Sequence, residues 1–178
     1  MLVPEMLVLV NRDDREIGIE TKLHVHKAGY LHRAFSVFIF RTRSGKKEIL
    51  LQQRHLDKYH CGGLWSNTCC GHPRKGEDVV TAGQRRLNEE LSIKSSLHTT
   101  RTFIYRAEFD NGMIEHELDH VLVGDYDDEV EQFNSREVQA FRWISVENLS
   151  LDLEVRPEFY TPWCAKALKV VKEYYLLL

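Results

Sequence analysis

The sequence predicts a single α/β domain, spanning residues 1–178, in which helices cover a mixed sheet. Three observations support this class. Several short apolar runs rich in Val and Phe have the length of strands, one amphipathic helical stripe lies in the middle of the chain, and a second closes it. The chain has 178 residues, of which 43% are hydrophobic and 29% are charged, and this composition suits one globular domain with a real core.

The first part of the chain is expected to form strands. Met6–Val10 and residues 34–40 are apolar runs of strand length. Residues 41–47 have the composition of a turn, so residues 48–54 are predicted to be the second arm of a hairpin. Residues 58–63 are predicted to be a loop, because a pair of glycines interrupts them.

Residues 77–92 are predicted to form the central helix. Two acidic residues at its start suit the positive end of the helix dipole. Its apolar residues recur at helical spacing and would give the helix one buried face. They are Val80, Gly83, Leu87 and Leu91.

The second half of the chain is expected to return to strands before it ends in a helix. Residues 102–109 and 114–124 are predicted to be two strands, because the Asp-Asn-Gly sequence at 110–112 is a strong hairpin signal. Residues 137–144 are predicted to be a further strand, after which Ser145 begins a short helix. Residues 162–176 are predicted to form the closing helix, since proline suits a first helical turn.

Charge and composition narrow the possible partners. The formal net charge is −3, so no strong positive field favours nucleic acid or a membrane surface, and an anionic ligand would need local cations. The apolar start of the chain is short and carries Glu5, which does not fit a secretory signal, and no run is long enough to cross a bilayer. The four cysteines show no disulfide spacing, so we expect a cytoplasmic protein.

Residues 64–73, Leu-Trp-Ser-Asn-Thr-Cys-Cys-Gly-His-Pro, form the most informative segment. Two thiols, an imidazole, an indole and an amide fall within ten residues that carry no formal charge. Successive side chains of an extended segment point to opposite faces, so only one of Cys69 and Cys70 can face a given pocket. Both could be small buried hydrophobic residues, but the polar neighbours favour one catalytic thiol.

A second group of residues suggests a metal site. His26 and His32 are six residues apart, so both would point the same way if that segment is extended, and His72 could join them. Glu115 and Glu117 would share one face of a strand. Three imidazoles and two carboxylates make a plausible site for Zn²⁺ or Mn²⁺.

Each of these residues also has a simpler interpretation. A single histidine is more often a surface or hydrogen-bonded residue, and the two glutamates could form a solvated strand face. The remaining histidines are expected to be structural. They are His24, His55, His60, His98, His116 and His120.

The central helix carries a third pattern. Gly71 and Glu77, followed by Arg-Arg-Leu-Asn-Glu-Glu at 85–90, resemble the Nudix box, in which a loop and a helix present carboxylates to a diphosphate-bound metal. Salt bridges at i, i+4 within the helix, each contributing about 0.2–0.5 kcal/mol, would explain the charges but not the Gly and Glu ahead of them. The box departs from that of active hydrolases, which usually have Arg-Glu at the place of Arg85-Arg86 and Gly at the place of Ser92. A cation at a usual metal-ligand position predicts that the box holds a diphosphate without cutting it.

Together, these segments resemble the type 1 isopentenyl diphosphate isomerases of the Nudix superfamily. The resemblance covers roughly residues 6–165, and its most specific part is the string at 65–73. The other matching segments are residues 26–40, 50–54, 85–91, 105–107, 115–117, 141–145 and 161–163.

The resemblance implies a Nudix-type α/β/α sandwich that interconverts isopentenyl and dimethylallyl diphosphate by proton transfers through a carbocation. It implies that Cys70 is the catalytic thiol, that Glu117 is its acid/base partner and that Tyr105 assists this carboxylate. It also implies one Zn²⁺ or Mn²⁺, whose ligands would be His26, His32, His72, Glu115 and Glu117. Glu90 would bind a Mg²⁺ that arrives with the diphosphate, with the Cys70 carbonyl close by.

The resemblance further implies how the substrate is held. Trp163 would form an aromatic wall over the reacting carbons, and four cations would bind the diphosphate. These cations are Lys22, Arg54, Lys58 and Arg86. Taken alone, each cation could be a solvated surface charge, and both Tyr105 and Trp163 could be packing residues.

The expected partner is therefore a small allylic or homoallylic diphosphate, and neither nucleic acid nor a membrane is expected. A lid must exclude water from the carbocation, and the N-terminal segment through Lys22 and His26 is its predicted location. Two alternatives remain open. One is a Nudix hydrolase of a nucleoside diphosphate derivative, which Arg86 disfavours. The other is a zinc-bound structural module that uses Cys69, Cys70 and His72, although the chain has no CxxC pair.

Overall fold

The computed structural model describes residues 4–176, so the first three and last two residues of the predicted domain lie outside the described part. The strands are β1 (Met6–Val10), β2 (Glu16–Thr21), β3 (His32–Arg43), β4 (Lys46–Arg54), β5 (Trp65–Ser66), β6 (Cys69–Gly71), β7 (His98–Glu108), β8 (Ile114–Asp125) and β9 (Val138–Ser145). The α-helices are α1 (Lys22–Ala28), α2 (Val79–Leu91), α3 (Val146–Val155) and α4 (Cys164–Tyr174), and Pro157–Phe159 forms a short 3₁₀ turn.

The sheet is mixed, as predicted, and β3 is its central strand. Strand β8 runs parallel to β3 from the His32–Glu117 pair to the Phe40–Asp125 pair, and β7 lies antiparallel to β8. Strands β4 and β6 pair antiparallel with β3, and β9 pairs with β4. Because parallel neighbours keep their ends together, the start of β3 lies beside the carboxylates of β8.

The two faces of β3 pack against different helices. Phe38 and Phe40 belong to an apolar cluster completed by α3 and α4, whereas Phe35, Val37 and Ile39 belong to a cluster completed by α2. This division follows from the alternation of side chains along a strand. It confirms the α/β/α sandwich.

Helix α2 lies close to the sheet because of a glycine in its predicted apolar stripe. A Cβ atom added to Gly83 would lie 2.6 Å from Leu122 Cδ1, so only glycine permits this approach without a shift. The helix begins at Val79 rather than at 77, because the Asp78 carboxylate accepts a hydrogen bond from the Thr81 amide and caps it.

Several other boundaries differ from the sequence prediction. The turn predicted over 41–47 is confined to Ser44 and Gly45, which have φ values of 50° and 74°, and both strands continue up to it. The hairpin at 110–112 and the start of α3 after Ser145 are confirmed. The closing helix begins at Cys164 instead of Pro162, and β2, β5, β6 and α1 were not predicted. Within residues 4–176, no helix is long and apolar enough to cross a membrane.

Candidate active site

One cavity of about 430 Å³ gathers most of the predicted site residues. The loop before β5, strand β6, helix α2 and strands β7 and β8 all contribute to its wall. The predicted residues in the wall are Lys22, Arg54, Lys58, Cys70, His72, Arg86, Glu90, Tyr105, Glu115, Glu117 and Trp163. The other two, His26 and His32, are buried next to Glu115.

The two buried histidines meet for a different reason from the one predicted. His26 lies on helix α1, so the segment between it and His32 is not extended, and the expectation of equal strand faces was wrong. The chain leaves α1 through Gly29, whose φ is 69°, and the Gly29 carbonyl contacts His116 Nδ1 of β8 at 3.0 Å. This packing brings the ring centres of His26 and His32 to 5.1 Å from one another.

Four of the five predicted ligands form a cluster that fits a divalent metal. His26, His32, His72 and Glu115 each offer one ligand atom, and these atoms lie within 4.8 Å of one another. The Nε2 atoms of His26 and His32 and the Oε2 atom of Glu115 are buried without a hydrogen-bond partner in the described part of the chain. Buried polar atoms normally have hydrogen-bond partners. These three atoms have none and converge on one point, so they fit the ligand atoms of a bound cation.

Two histidines of the cluster have their Nδ1 atoms engaged by neighbouring oxygens. His32 Nδ1 lies 2.9 Å from the Tyr30 carbonyl, which only accepts, so Nδ1 donates a hydrogen there and Nε2 faces the carboxylates of the cluster. The Tyr59 hydroxyl, which can donate as well as accept, contacts His26 Nδ1. Burial, together with the neighbouring charge of His32, lowers the pKa of His26 to about 3, so its imidazole is neutral.

Glu117, the fifth predicted ligand, stands between the cluster and a tyrosine. Its Oε1 atom lies 3.1 Å from His72 Nε2 and 3.5 Å from His32 Nε2, and its Oε2 atom accepts a 2.5 Å hydrogen bond from the Tyr105 hydroxyl. Burial alone would raise the pKa of Glu117, but the polar contacts and nearby charges of His32 and His72 hold it well below its usual range. This position suits the predicted partnership of Glu117 with Tyr105.

Two members of the cluster have raised pKa values, so protons balance the charge of its carboxylates. Burial and the nearby charge of Glu117 raise the pKa of Glu115 to about 8. Burial opposes protonation of His72, yet hydrogen bonds to Glu117 and Glu5 raise its pKa to about 9. Two carboxylates this close in a buried site repel each other, and positive charge between them relieves that repulsion.

The two adjacent cysteines face opposite ways, as predicted. Cys69 is fully buried in the apolar cluster beneath α2, whereas Cys70 lines the cavity. Burial and the charge of Asp119 raise the pKa of Cys70 to about 12, so the group is a neutral thiol near pH 7. Its shortest polar contact is to Asn67 Oδ1, at 3.2 Å. Because Cys69 points into the core, it cannot join Cys70 and His72 in a zinc site, and the structural-zinc alternative is wrong.

The four predicted diphosphate cations surround the same cavity. Lys22 pairs with Glu5 at 2.8 Å, and Lys58 pairs with Glu137. The guanidinium carbon of Arg54 lies 5.5 Å from the centre of the Trp163 ring. Its Nε atom is buried and has no hydrogen-bond partner within residues 4–176. Arg54 therefore has a buried donor available for an anion.

Two of the polar residues that the sequence analysis did not assign to the site stand out. His60 was expected to be structural, but its Nε2 atom lies 2.6 Å from Glu115 Oε1 and it lines the cavity. Asn67 is fully buried next to Cys70 and had no assigned role. His60 gave no signal because it lies in a loop without periodicity, whereas Asn67 was visible within the unusual 64–73 segment.

Comparison with known proteins identifies the family. The NUDIX domain family matches residues 30–164. The chain is 46% identical over 173 residues to the isopentenyl-diphosphate Delta-isomerase of Photobacterium profundum, with 96% of each chain covered. It is 48% identical over 159 residues to that of Burkholderia multivorans, covering 89% of this chain and 88% of the relative. The chain belongs to the isopentenyl-diphosphate Delta-isomerase family.

Solved structures support the fold of this isomerase family member. A Deinococcus radiodurans protein, DR0079, superposes with a TM-score of 0.74 at 19% identity, covering 93% of this chain and 98% of that one. A MutT protein from Methanosarcina mazei gives a TM-score of 0.63 at 16% identity, covering 80% and 94%. At these identities the likeness shows the NUDIX fold alone.

The NUDIX-like helix of this isomerase family member is tied together by ion pairs. Arg86 contacts Glu89 at 2.8 Å, Glu90, and Glu137 at 3.4 Å. Arg85 binds Glu77 through two hydrogen bonds of 2.7 and 2.9 Å. Pairing therefore explains the position of Glu77 as well as the charges of the helix, which the sequence analysis had not expected.

Proposed function

We propose that this isomerase interconverts isopentenyl diphosphate and dimethylallyl diphosphate, with Cys70 and Glu117 as the groups that transfer protons. The observation that carries the proposal is that a thiol and a carboxylate line one cavity whose wall also carries the four predicted diphosphate cations. Such a cavity has room for a short apolar chain beside the acid/base pair and a charged tail beside the cations. Family membership independently supports the reaction.

The reaction needs two proton-transfer groups and no organic cofactor. One group adds a proton to the terminal carbon of the double bond, which leaves a tertiary carbocation at the neighbouring carbon. The other removes a proton from the carbon on the far side of that centre, so the double bond moves by one position and the proton count balances. Cys70 lies on β6 and Glu117 on β8, so each can approach a flat substrate from its own side.

The buried histidine and glutamate cluster is compatible with a divalent metal. We assign it one Zn²⁺ or Mn²⁺, held by His26, His32, His72, Glu115 and Glu117. A divalent cation there would withdraw charge from Glu117 and favour release of a proton from that carboxyl group or from Tyr105. Glu90, with the Cys70 carbonyl, would hold a Mg²⁺ that arrives with the diphosphate.

The remaining wall residues bind and cover the substrate. Lys22, Arg54, Lys58 and Arg86 hold the diphosphate. The face of Trp163 lies beside the reacting carbons, where a desolvated indole can stabilise a cation by about 2 kcal/mol. Trp65 was the other indole considered for this role, but it packs against the apolar core and under the Arg142 guanidinium, which lies 4.4 Å from its ring centre.

The N-terminal segment supplies the lid. Glu5, Met6 and Lys22 line the cavity, and the Lys22 amide donates a 2.9 Å hydrogen bond to the Glu5 carbonyl. Closure of this segment would exclude water that could trap the carbocation. The partner is a small-molecule diphosphate rather than nucleic acid or a membrane, and four free cysteines suit a reducing cytoplasm.

An NMR assay tests the proposed function. Purified protein is incubated with isopentenyl diphosphate and Mg²⁺, with and without a chelator such as 1,10-phenanthroline. We expect dimethylallyl diphosphate to form without phosphate release and the chelator to abolish the reaction. Release of phosphate or monophosphate with no isomer would overturn the proposal in favour of a hydrolase.

A further inference from the structure

The amide of Asn67 has an orientation that its neighbours fix. Asn67 is fully buried, and its Nδ2 atom lies 3.1 Å from the Val37 carbonyl and 2.9 Å from the Cys69 carbonyl. Carbonyl oxygens only accept hydrogen bonds, so both amide hydrogens must point at them. The Oδ1 atom therefore faces the other way, toward the Cys70 thiol.

The Asn67 oxygen receives hydrogens from two side chains. It lies 3.2 Å from Cys70 Sγ and 2.9 Å from Ser66 Oγ. An amide oxygen carries no hydrogen, so the thiol and the hydroxyl are both donors. The other polar atoms near this sulfur are farther away, with Ser36 Oγ at 3.7 Å and Ser66 Oγ at 3.8 Å. Asn67 is thus the residue that directs the S–H bond of Cys70.

Ser66 extends this arrangement to the aromatic wall. Because its hydrogen is donated to Asn67, its lone pairs remain to accept, and Trp163 Nε1 donates to Ser66 Oγ at 3.2 Å. The Thr161 hydroxyl also contacts Ser66 Oγ at 3.2 Å. Ser66, Asn67 and Trp163 are all buried, so water does not compete for these bonds.

We propose that Ser66 and Asn67 are positioning residues that set the Cys70 thiol and the Trp163 indole relative to each other. The inference rests on the proposed function, in which the thiol transfers a proton while the indole faces the developing cation. Both groups must then address adjacent carbons of one substrate, and a displacement of about 1 Å can cost about 10²-fold in rate. One short chain of hydrogen bonds through Ser66 and Asn67 links the Cys70 thiol to the Trp163 indole. This link also gives Ser66 and Asn67 a role within the 64–73 segment.

A double-mutant cycle tests the link, with kcat measured per folded, metal-loaded protein. Ser66→Ala removes the acceptor of the indole N–H, and Trp163→Phe keeps an aromatic face but removes the donor. We expect each single variant to lower kcat about 10–100-fold with KM for isopentenyl diphosphate changed by less than about threefold. Ser66→Ala should lower kcat by a clearly smaller factor in the Trp163→Phe background, because the hydrogen bond from the indole to Ser66 is already absent there. Additive losses in kcat, or losses confined to KM, would overturn the inference.

Variants of the neighbouring positions separate positioning from folding. Thr68→Val is the matched control, because Thr68 is equally buried but its hydroxyl bonds only the backbone of Leu50 and Ile39. We expect it to lower Tm while kcat per folded protein stays unchanged. Asn67→Asp should lower kcat strongly if it folds, and the Ser66 cycle decides the question if it does not. A loss of kcat in Thr68→Val equal to that in Ser66→Ala would overturn the inference.

The wild-type protein in the same assay separates this inference from the function on which it rests. If the wild type forms no dimethylallyl diphosphate, the proposed function fails. If the wild type isomerises and the cycle is additive, the function stands and only the positioning role fails.

Discussion

The Nε2 atom of His60 lies 2.6 Å from Oε1 of Glu115. The other carboxylate oxygen of Glu115 has no hydrogen-bond partner among the described residues and lies 3.4 Å from His26 Nε2. His60 thus contacts one oxygen and leaves the other directed at His26 and the proposed metal site. A residue that contacts a metal ligand from behind fixes the orientation of that ligand. Loss of such a residue typically lowers metal affinity about 10–100-fold.

Replacing His60 should therefore weaken metal binding. In His60→Leu, Glu115 loses this contact and is free to rotate, so we expect the affinity for Zn²⁺ or Mn²⁺ to fall about 10–100-fold. Calorimetric titration of the metal-free protein measures this change directly. His98→Gln is the control, since His98 is an exposed histidine on β7. A metal affinity equal to that of the wild type would show that His60 does not support the metal site and is only structural.

Changes to the predicted ligands themselves should remove the metal. His72→Ala deletes one imidazole, and Glu115→Gln keeps the size of the side chain but removes its charge. Both should lower the metal content of the purified protein, as measured by elemental analysis, because a buried cation needs its charged and imidazole ligands. The exposed Glu131→Gln should keep its metal. If both ligand variants retained full occupancy, the assigned ligand set would be incorrect.

The two adjacent cysteines allow an internal comparison. Cys70→Ala should remain folded and keep its metal, but should lose about 10²–10⁴-fold in kcat because a proton-transfer group is absent. Cys69→Ala changes a core residue on the opposite face, so it should lower Tm and leave kcat largely intact. Isomerisation assays and thermal melts on the same samples provide both measurements. Equal losses of kcat in the two variants would argue against a special role for Cys70.

The parts of the site that the sequence predicted are those governed by strand periodicity. Alternation along an extended segment separated Cys69 from Cys70 and placed Glu115 and Glu117 on one face, and the structure confirms both. The same rule failed for His26, because the segment before β3 is a helix with no strong sequence signal. Periodicity predicts the direction of a side chain only where the element itself is known.

Contacts between distant segments were beyond prediction from sequence. The His60–Glu115 contact joins residues 55 positions apart across a loop, and nothing local to His60 encodes it. The Glu77–Arg85 pair shows a milder case, since the spacing of eight residues becomes a contact only because the chain turns into α2 at Asp78. The layered fold was predictable because burial patterns are local, whereas the polar network depends on how the layers meet.

The contribution of Arg54 to diphosphate binding should depend on the planar geometry of its guanidinium group as well as on its charge. Its Nε donor is buried without a partner in the described part of the chain, ready for an anionic oxygen. Arg54→Lys keeps the charge but removes the planar group, so we expect KM for isopentenyl diphosphate to rise about 10–100-fold, as loss of a charged hydrogen bond implies. Lys75→Gln changes an exposed cation and serves as the control. A KM unchanged in Arg54→Lys would mean that charge alone suffices.

Glu90 is expected to exchange partners when the substrate binds. One of its oxygens accepts from Arg86 and the other from Gln52 Nε2 at 2.6 Å, so both are engaged. If Arg86 turns to the diphosphate, it frees a carboxylate oxygen for the accompanying Mg²⁺. Glu90→Gln should therefore raise the Mg²⁺ concentration needed for half-maximal activity by roughly tenfold, or about 1.4 kcal/mol, while tightly bound metal is retained. Glu89→Gln also removes a partner of Arg86 and should change this requirement little. An unaltered Mg²⁺ requirement in Glu90→Gln would show that Arg86 keeps Glu90 in the complex and that the ion binds elsewhere.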